Sequence, residues 1–187
     1  MQVLDTDIDG VKIVEPARHA DERGWLSESW NPAALVDAGL DVGFVQDNLT
    51  HSQALGVVRA LHFQAPPYEQ GKLIICITDA IYDVALDIRV DSPTYGRRVG
   101  LRLSGDDPRQ LWIPPGFAHG FFALEPDTKG LYKLTAPYRG DSMMGVLWND
   151  PALKIDWPVD ANAALMVERD RSWPMFADFR SPFGRKG

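Results

Sequence analysis

Four histidines (His19, His51, His62 and His119) and a handful of tyrosines, lysines and carboxylates are the chemistry-bearing side chains of this 187-residue chain, whose one cysteine is Cys76. His62 sits in Arg59-Ala60-Leu61-His62-Phe63-Gln64, and Lys72 follows ten residues later. Histidine titrates near neutral pH, so His62 is a candidate general base. The plainer reading of a histidine between Leu61 and Phe63 is a hydrogen-bonded structural residue. Strict strand alternation would also place Arg59 and His62 on opposite faces, so only a bulge or a strand end would bring them into one pocket. His119 lies in Pro114-Pro115-Gly116-Phe117-Ala118-His119-Gly120-Phe121, read as a turn entering an aromatic strand. Its plain alternative is a capped turn histidine packed on Phe117 and Phe121. Tyr132, beside Lys133, falls in a strand of core-facing residues, where a tyrosine usually packs with its hydroxyl tied to backbone. Asp21-Glu22-Arg23-Gly24 reads as a polar turn, and Glu168-Arg169-Asp170-Arg171 as a solvated charge run. There is no His-x-His pair and no Cys/His cluster at ligand spacing, and His62 with His119 lacks a third ligand. No metal and no other cofactor is therefore expected.

The elements that must hold these residues are mostly strands. In Tyr82-Asp83-Val84-Ala85-Leu86-Asp87-Ile88 the even positions are large and apolar and two odd positions are aspartates, the pattern of a half-buried strand. Further strands are expected at Phe44–Asn48, Val57–Gln64, Leu73–Ile77, Arg98–Leu103, Gln110–Ile113, Gly120–Leu124 and Gly130–Leu134. Turn chemistry separates them at Asp91-Ser92-Pro93, Ser104-Gly105-Asp106-Asp107-Pro108 and Pro114-Pro115-Gly116. One helix is marked, with Asn31 as cap, Pro32 at its first position and Gly39 after Ala38. Short strands at this spacing predict an all-β sandwich or barrel, because the gaps are too short for crossover helices. The stretch from Asp160 is expected to carry a short C-terminal helical tail. With no repeat or linker, residues 1–187 read as a single domain.

A formal net charge of −7 argues against nonspecific nucleic-acid binding, which wants a basic face. The lone Cys76, inside Leu73-Ile74-Ile75-Cys76-Ile77, fits a buried core thiol in a reducing compartment. No apolar run reaches the roughly 18 to 20 residues of a membrane helix, and Met1–Val11 has no basic region typical of a secretory signal. A cytoplasmic location is expected, with no membrane partner.

The same candidates fall inside segments that resemble the dTDP-4-dehydrorhamnose 3,5-epimerase family. These are Asp21-Glu22-Arg23-Gly24 with Glu28, Phe44-Val45-Gln46-Asp47-Asn48, Gly56–Gln64, Gln70-Gly71-Lys72, Asp83–Arg89, Gln110–Pro114, Gly116–Phe121, Tyr132-Lys133, Trp148-Asn149-Asp150-Pro151 and Ile155-Asp156-Trp157-Pro158. They follow one another in family order over nearly the whole chain. The resemblance implies a metal-free double-stranded β-helix, the cupin-like jelly roll, in a homodimer that exchanges N-terminal strands. It implies a dTDP-linked 4-keto-6-deoxyglucose as substrate. His62 would be the base, Asp170 the carboxylate that orients it, Tyr132 the proton donor, and Lys72 the cation beside the C4 oxygen. Arg23, Glu28, Gln46, Asn48, Arg59 and His119 would hold the nucleotide, diphosphate or sugar, with Tyr138 a second aromatic near the pocket. Arg169 stands where the family has a lysine near the nucleotide.

The chemistry explains these types. A proton beside a ketone leaves only if the enolate is stabilised, which a fixed cation does. Inversion needs an acid on the opposite face of the ring from the base. Against the family pattern, Ala60 stands for a glycine, Trp25 for a phenylalanine, and Met143 for a glutamate near the sugar. The Met143 change keeps a single-site 3- or 5-epimerase as the nearest alternative. A ketoisomerase is disfavoured by Tyr132. A non-catalytic nucleotide-sugar binding cupin is disfavoured by joint retention of His62, Lys72, Tyr132 and Asp170.

Overall fold

The computed structural model describes residues 1–158 and 163–184. Two antiparallel sheets face each other. The first runs, edge to edge, β1 (Gln2–Asp5), β2 (Lys12–Glu15), β10 (Gln110–Ile113), β7 (Lys72–Thr78), β12 (Thr128–Leu134) and β5 (Gln46–Ser52). The second runs β13 (Met143–Gly145), β6 (Val58–Gln64), β11 (Phe117–Ala123), β8 (Ala80–Asp87) and β9 (Arg98–Ser104). A separate hairpin, β3 (Arg18–Asp21) with β4 (Gly24–Ser27), turns at the Asp21–Gly24 segment. Neighbours within each sheet come from distant parts of the chain, the interleaved order of a jelly roll. The all-β, cupin-like architecture expected from the sequence is the one observed.

Packing follows the alternation. Ile74, Cys76, Leu111 and Ile113 of the first sheet meet Ile81, Ala85, Leu103, Phe117 and Phe121 of the second. The outer side of the second sheet, with Val58, Ala60, Leu61, Val84, Leu86 and Phe122, is covered by Val146, Trp148 and Phe179 of the C-terminal region. Outside the first sheet, Leu35 of α1 (Pro32–Asp37) and Leu40 pack on Val14, Leu73 and Trp112. Asn31 caps α1 as expected, accepting from Ala33 N at 3.0 Å and Ala34 N at 3.3 Å. Among the described residues no helix is long and apolar enough to cross a membrane.

Several expectations are corrected. Strand β8 is buried on both faces rather than half-buried, and Asp83 and Asp87 are 0 % exposed. The reason is its central place between β11 and β9 under the C-terminal cover, so its aspartates must find internal partners. Strand β11 starts at Phe117, so His119 is a strand residue and not part of the preceding turn. Strand β5 lies at Gln46–Ser52, later than expected. The short β1 to β4 and β13 were not foreseen, since three or four residues carry little period. The charge run at 168–171 forms α2 (Glu168–Arg171), and its Asp170 is only 2 % exposed, not solvated. The expected start of the C-terminal tail, Asp160, lies outside the described residues.

The feature that matters most for the site is a bulge between β6 and β11. His119 pairs with His62, but Phe121 pairs with Arg59, so three steps on β6 answer two on β11. The extra residue lets Ala60 and Leu61 both enter the outer core while Arg59 and His62 both turn inward. Gly120 makes this possible, because a Cβ there would lie 2.2 Å from Ala60 Cβ and 2.7 Å from Ala60 Cα. Gly120→Ala should therefore destabilise the protein by about 1 to 3 kcal/mol in denaturant unfolding, the usual cost of overpacking a core.

Candidate active site

Inward-facing residues of the two sheets enclose a cavity of about 120 Å³. The second sheet supplies Arg59 and His62 from β6 and His119 from β11, and the first supplies Asn48 from β5, Lys72 from β7 and Tyr132 from β12. Phe63, Phe121, Leu134 and Met143 make the apolar part of the wall, and Tyr138 stands with them. A second cavity of about 310 Å³ shares Arg59 and His62 with the first and adds Arg169 and Asp170. The chain reaches that position because Leu165 bridges Val57 in parallel, with Val58 N to Leu165 O and Leu165 N to Gly56 O both at 2.8 Å. This short extension beside β6 delivers α2 against the base of the pocket. Among the described residues Asp170 is the only carboxylate lining that cavity, and Arg169 Nε approaches its Oδ1 at 3.5 Å. No hydrogen bond joins Asp170 to His62 among the described residues.

Burial sets the protonation states. It holds the His62 ring well below its ordinary pKa, and the positive charges of Lys72, His119 and Arg169 push the same way. Lys72, whose Nζ donates to His62 O at 3.3 Å, is lowered to about 8 by burial, against the opposing pull of Asp83. Burial raises the Tyr132 phenol well above its ordinary value, despite its hydroxyl contact with Thr50 Oγ1 at 3.3 Å. At neutral pH the pocket thus presents an uncharged imidazole, a protonated phenol and a largely protonated ammonium. That is the equipment for moving a proton off a carbon acid and returning one from elsewhere. Among the described residues no three His, Cys, Asp or Glu side chains converge as a metal site would require.

Comparison with known proteins decides the family. Residues 5–178 match the family model described as dTDP-4-dehydrorhamnose 3,5-epimerase. The chain belongs to the dTDP-4-dehydrorhamnose 3,5-epimerase family. It is 44 % identical over 180 residues to a protein of that name from Shigella flexneri, covering 95 % of this chain and 97 % of the relative. A Legionella pneumophila epimerase solved with dTDP-4-keto-L-rhamnose superposes with a TM-score of 0.90 at 39 % identity, covering 96 % of this chain and 94 % of that one. A 3'-monoepimerase from Streptomyces bikiniensis, solved with dTDP-quinovose, gives 0.86 at 29 % identity, covering 93 % and 87 %.

Not every residue that the epimerase resemblance pointed to lines these cavities. Gln46 stands behind them, donating to Asn48 Oδ1 at 2.8 Å and accepting from Tyr138 N at 2.9 Å. Arg23 and Glu28 line neither cavity. Arg23 is tied to Asp21 within the hairpin and sits in a groove with His19, Trp25 and Leu26. Sequence reading missed Gln64, which is 2 % exposed and lines the first cavity. Its amide donates to Tyr68 O at 2.6 Å and Pro137 O at 3.2 Å and accepts from Arg139 N at 2.6 Å, clamping two loops at the pocket mouth. A glutamine ending an apolar strand was its only signal. Asp83 was also missed as a site residue, although an aspartate inside an otherwise apolar strand was visible. The electrostatics predict that Lys72 titrates near pH 8, measured from its side-chain 13Cε shift, with the assignment confirmed by loss of the signal in Lys72→Met.

Proposed function

We propose that the protein inverts C3 and C5 of dTDP-4-dehydro-6-deoxy-D-glucose to give dTDP-4-dehydro-L-rhamnose. The observation that carries this reading is the opposition of His62 and Tyr132, which enter one cavity from different sheets with Lys72 also on its wall. His62, uncharged at neutral pH, takes the proton from the carbon beside the C4 ketone. The electron pair moves into the enolate, whose oxygen lies against the Lys72 ammonium. Tyr132, kept protonated by its burial, returns a proton to the opposite face of the same carbon. C3 and C5 both flank C4, so one constellation serves both. Asp170 orients His62 from the second cavity and stabilises the imidazolium as it forms. Arg59 and Arg169, whose guanidinium forks suit phosphate oxygens, take the diphosphate end. Asn48, held by Gln46, and His119 contact the sugar, and Tyr138 flanks the nucleotide.

The remaining two ligands point to a partner. Trp25 is 57 % and Leu26 70 % exposed on the β3–β4 hairpin, and Leu49 and Ile77 leave apolar side chains on the outer face of the first sheet. In the proposed homodimer the single domain exchanges this N-terminal hairpin, carrying Arg23 and Glu28 into the other subunit's cavity. A buried, unpaired Cys76 suits a reducing cytoplasm, where we place the reaction. A single-site epimerase is the second reading, favoured by Met143 on the sugar-side wall.

Incubation with dTDP-4-dehydro-6-deoxy-D-glucose in deuterated water, followed by NMR, should place deuterium at both C3 and C5. Label at one carbon would establish the single-site reading. No exchange, with dTDP still bound, would leave a binding protein. Tyr132→Phe should separate the two half-reactions, because it removes the acid and leaves the base. Solvent exchange at the labelled carbon should persist while inverted product falls by about 10²- to 10⁴-fold, the usual contribution of a positioned acid.

A further inference from the structure

One buried carboxyl group, that of Asp83, has no part in the proton transfers at the site. Asp83 is 0 % exposed on β8, pairs across the sheet with Phe121, and faces the space between the sheets. Its two oxygens lie 3.1 Å and 2.9 Å from Nε2 of His119, itself 2 % exposed. A carboxylate this deep is costly unless it is hydrogen-bonded and paired. No second side chain bonds it among the described residues, so its grip on His119 is what makes its burial tolerable. With Nε2 committed as donor, Nδ1 of His119 has no hydrogen-bond partner among the described residues, although the residue lines the cavity. The free nitrogen is thus the one left for a ligand.

Asp83 also acts beyond that pair. Lys72 shares its cavity with Arg59 and His62 from β6, His119 from β11, Tyr132 from β12 and Tyr138; Asp83 of β8 lies behind His119, and Arg169 with Asp170 from α2 line the adjoining cavity. Burial strips the ammonium of water, and Asp83 is the group whose charge offsets that loss.

We propose that Asp83 is a positioning residue of the epimerisation, holding the His119 ring through Nε2 so that Nδ1 meets the bound sugar. This rests on the epimerase reading and extends it to a residue that does not touch the substrate. A group that only helped the fold would change stability alone. A positioning group changes ring state and the pH at which Lys72 stops working.

Asp83→Asn keeps the shape and removes the charge. In wild type, the alkaline limb of kcat/KM on the dTDP-4-keto sugar should lie near the Lys72 value of about 8. In Asp83→Asn that limb should move to lower pH, and kcat/KM at pH 7 should fall by about 10- to 100-fold, the size of effect known for carboxylates that orient metal-binding histidines. An unmoved limb with kcat/KM within about twofold of wild type, per mole of folded protein, would overturn the proposal. A second measurement needs no variant to fold. In 15N-histidine-labelled wild type, His119 should show Nε2 protonated across the accessible pH range, and an Nδ1-protonated neutral tautomer would overturn it. An inactive wild type would sink the epimerase reading, and with it the assigned role, while the His119 signal would still report whether the Asp83 grip exists.

Discussion

A strand that alternates strictly cannot turn residues 59 and 62 to the same side, and this pocket needs both. The bulge resolves the conflict locally. Ala60 and Leu61 go outward together into apolar packing, and the two polar residues flanking them go inward together. The facing strand must give way, and Gly120 is where it does. On its other side His62 pairs with Gly145, whose missing Cβ leaves room for the Trp173 ring and the Leu61 carbonyl. His62, the proposed base, is therefore set in backbone held from both sides. Its placement depends on main-chain geometry more than on any hydrogen bond to its ring.

The second organising effect is desolvation, and it acts oppositely on acids and bases. Removing water disfavours whichever form is charged, so His62 and Lys72 are pushed down and Tyr132 is pushed up. One apolar barrel interior thereby prepares a discharged base and a protonated acid in a single cavity, without a separate device for each. Lys72 is the exception that must keep its charge against the same pressure. Its neighbourhood explains how, since the deeply buried anion on β8 lies within electrostatic range. The deep carboxylate that is costly for the fold is the counterweight that the cation requires.

Much of this was legible in the sequence, and the misses have physical reasons. Strand periodicity and turn chemistry were enough for an all-β fold, and Asn31 with Pro32 and Gly39 marked α1 correctly. His62, Lys72 and Tyr132 were visible as candidates, but their convergence was not, because it depends on a register shift and on two sheets facing each other. Alternation even argued against pairing Arg59 with His62, and it named a bulge as the way out. Asp170 looked solvated because its neighbours are charged. What buries it is a parallel bridge between Leu165 and Val57, a long-range contact that no local pattern announces. The β8 aspartates misled for the opposite reason: a period of two signals a half-buried strand only when one face meets water.

The two cavities divide the work unequally. The inner one sets an apolar wall of Phe63, Phe121, Leu134 and Met143 against a few polar groups, Asn48, Lys72, His119 and Tyr132 among them. The outer one carries Arg59 and Arg169 and is wider. An enzyme of this kind gains affinity from the charged, unreacting end of its substrate and uses it to hold the reacting carbon in register. Arg59 and His62 line both cavities, so the residue suited to the diphosphate and the proposed base sit three positions apart on one rigid strand. A diphosphate anchored at Arg59 fixes where the sugar must lie relative to His62. The bulge that aligns those two side chains thus also ties the proposed diphosphate site to the proposed base.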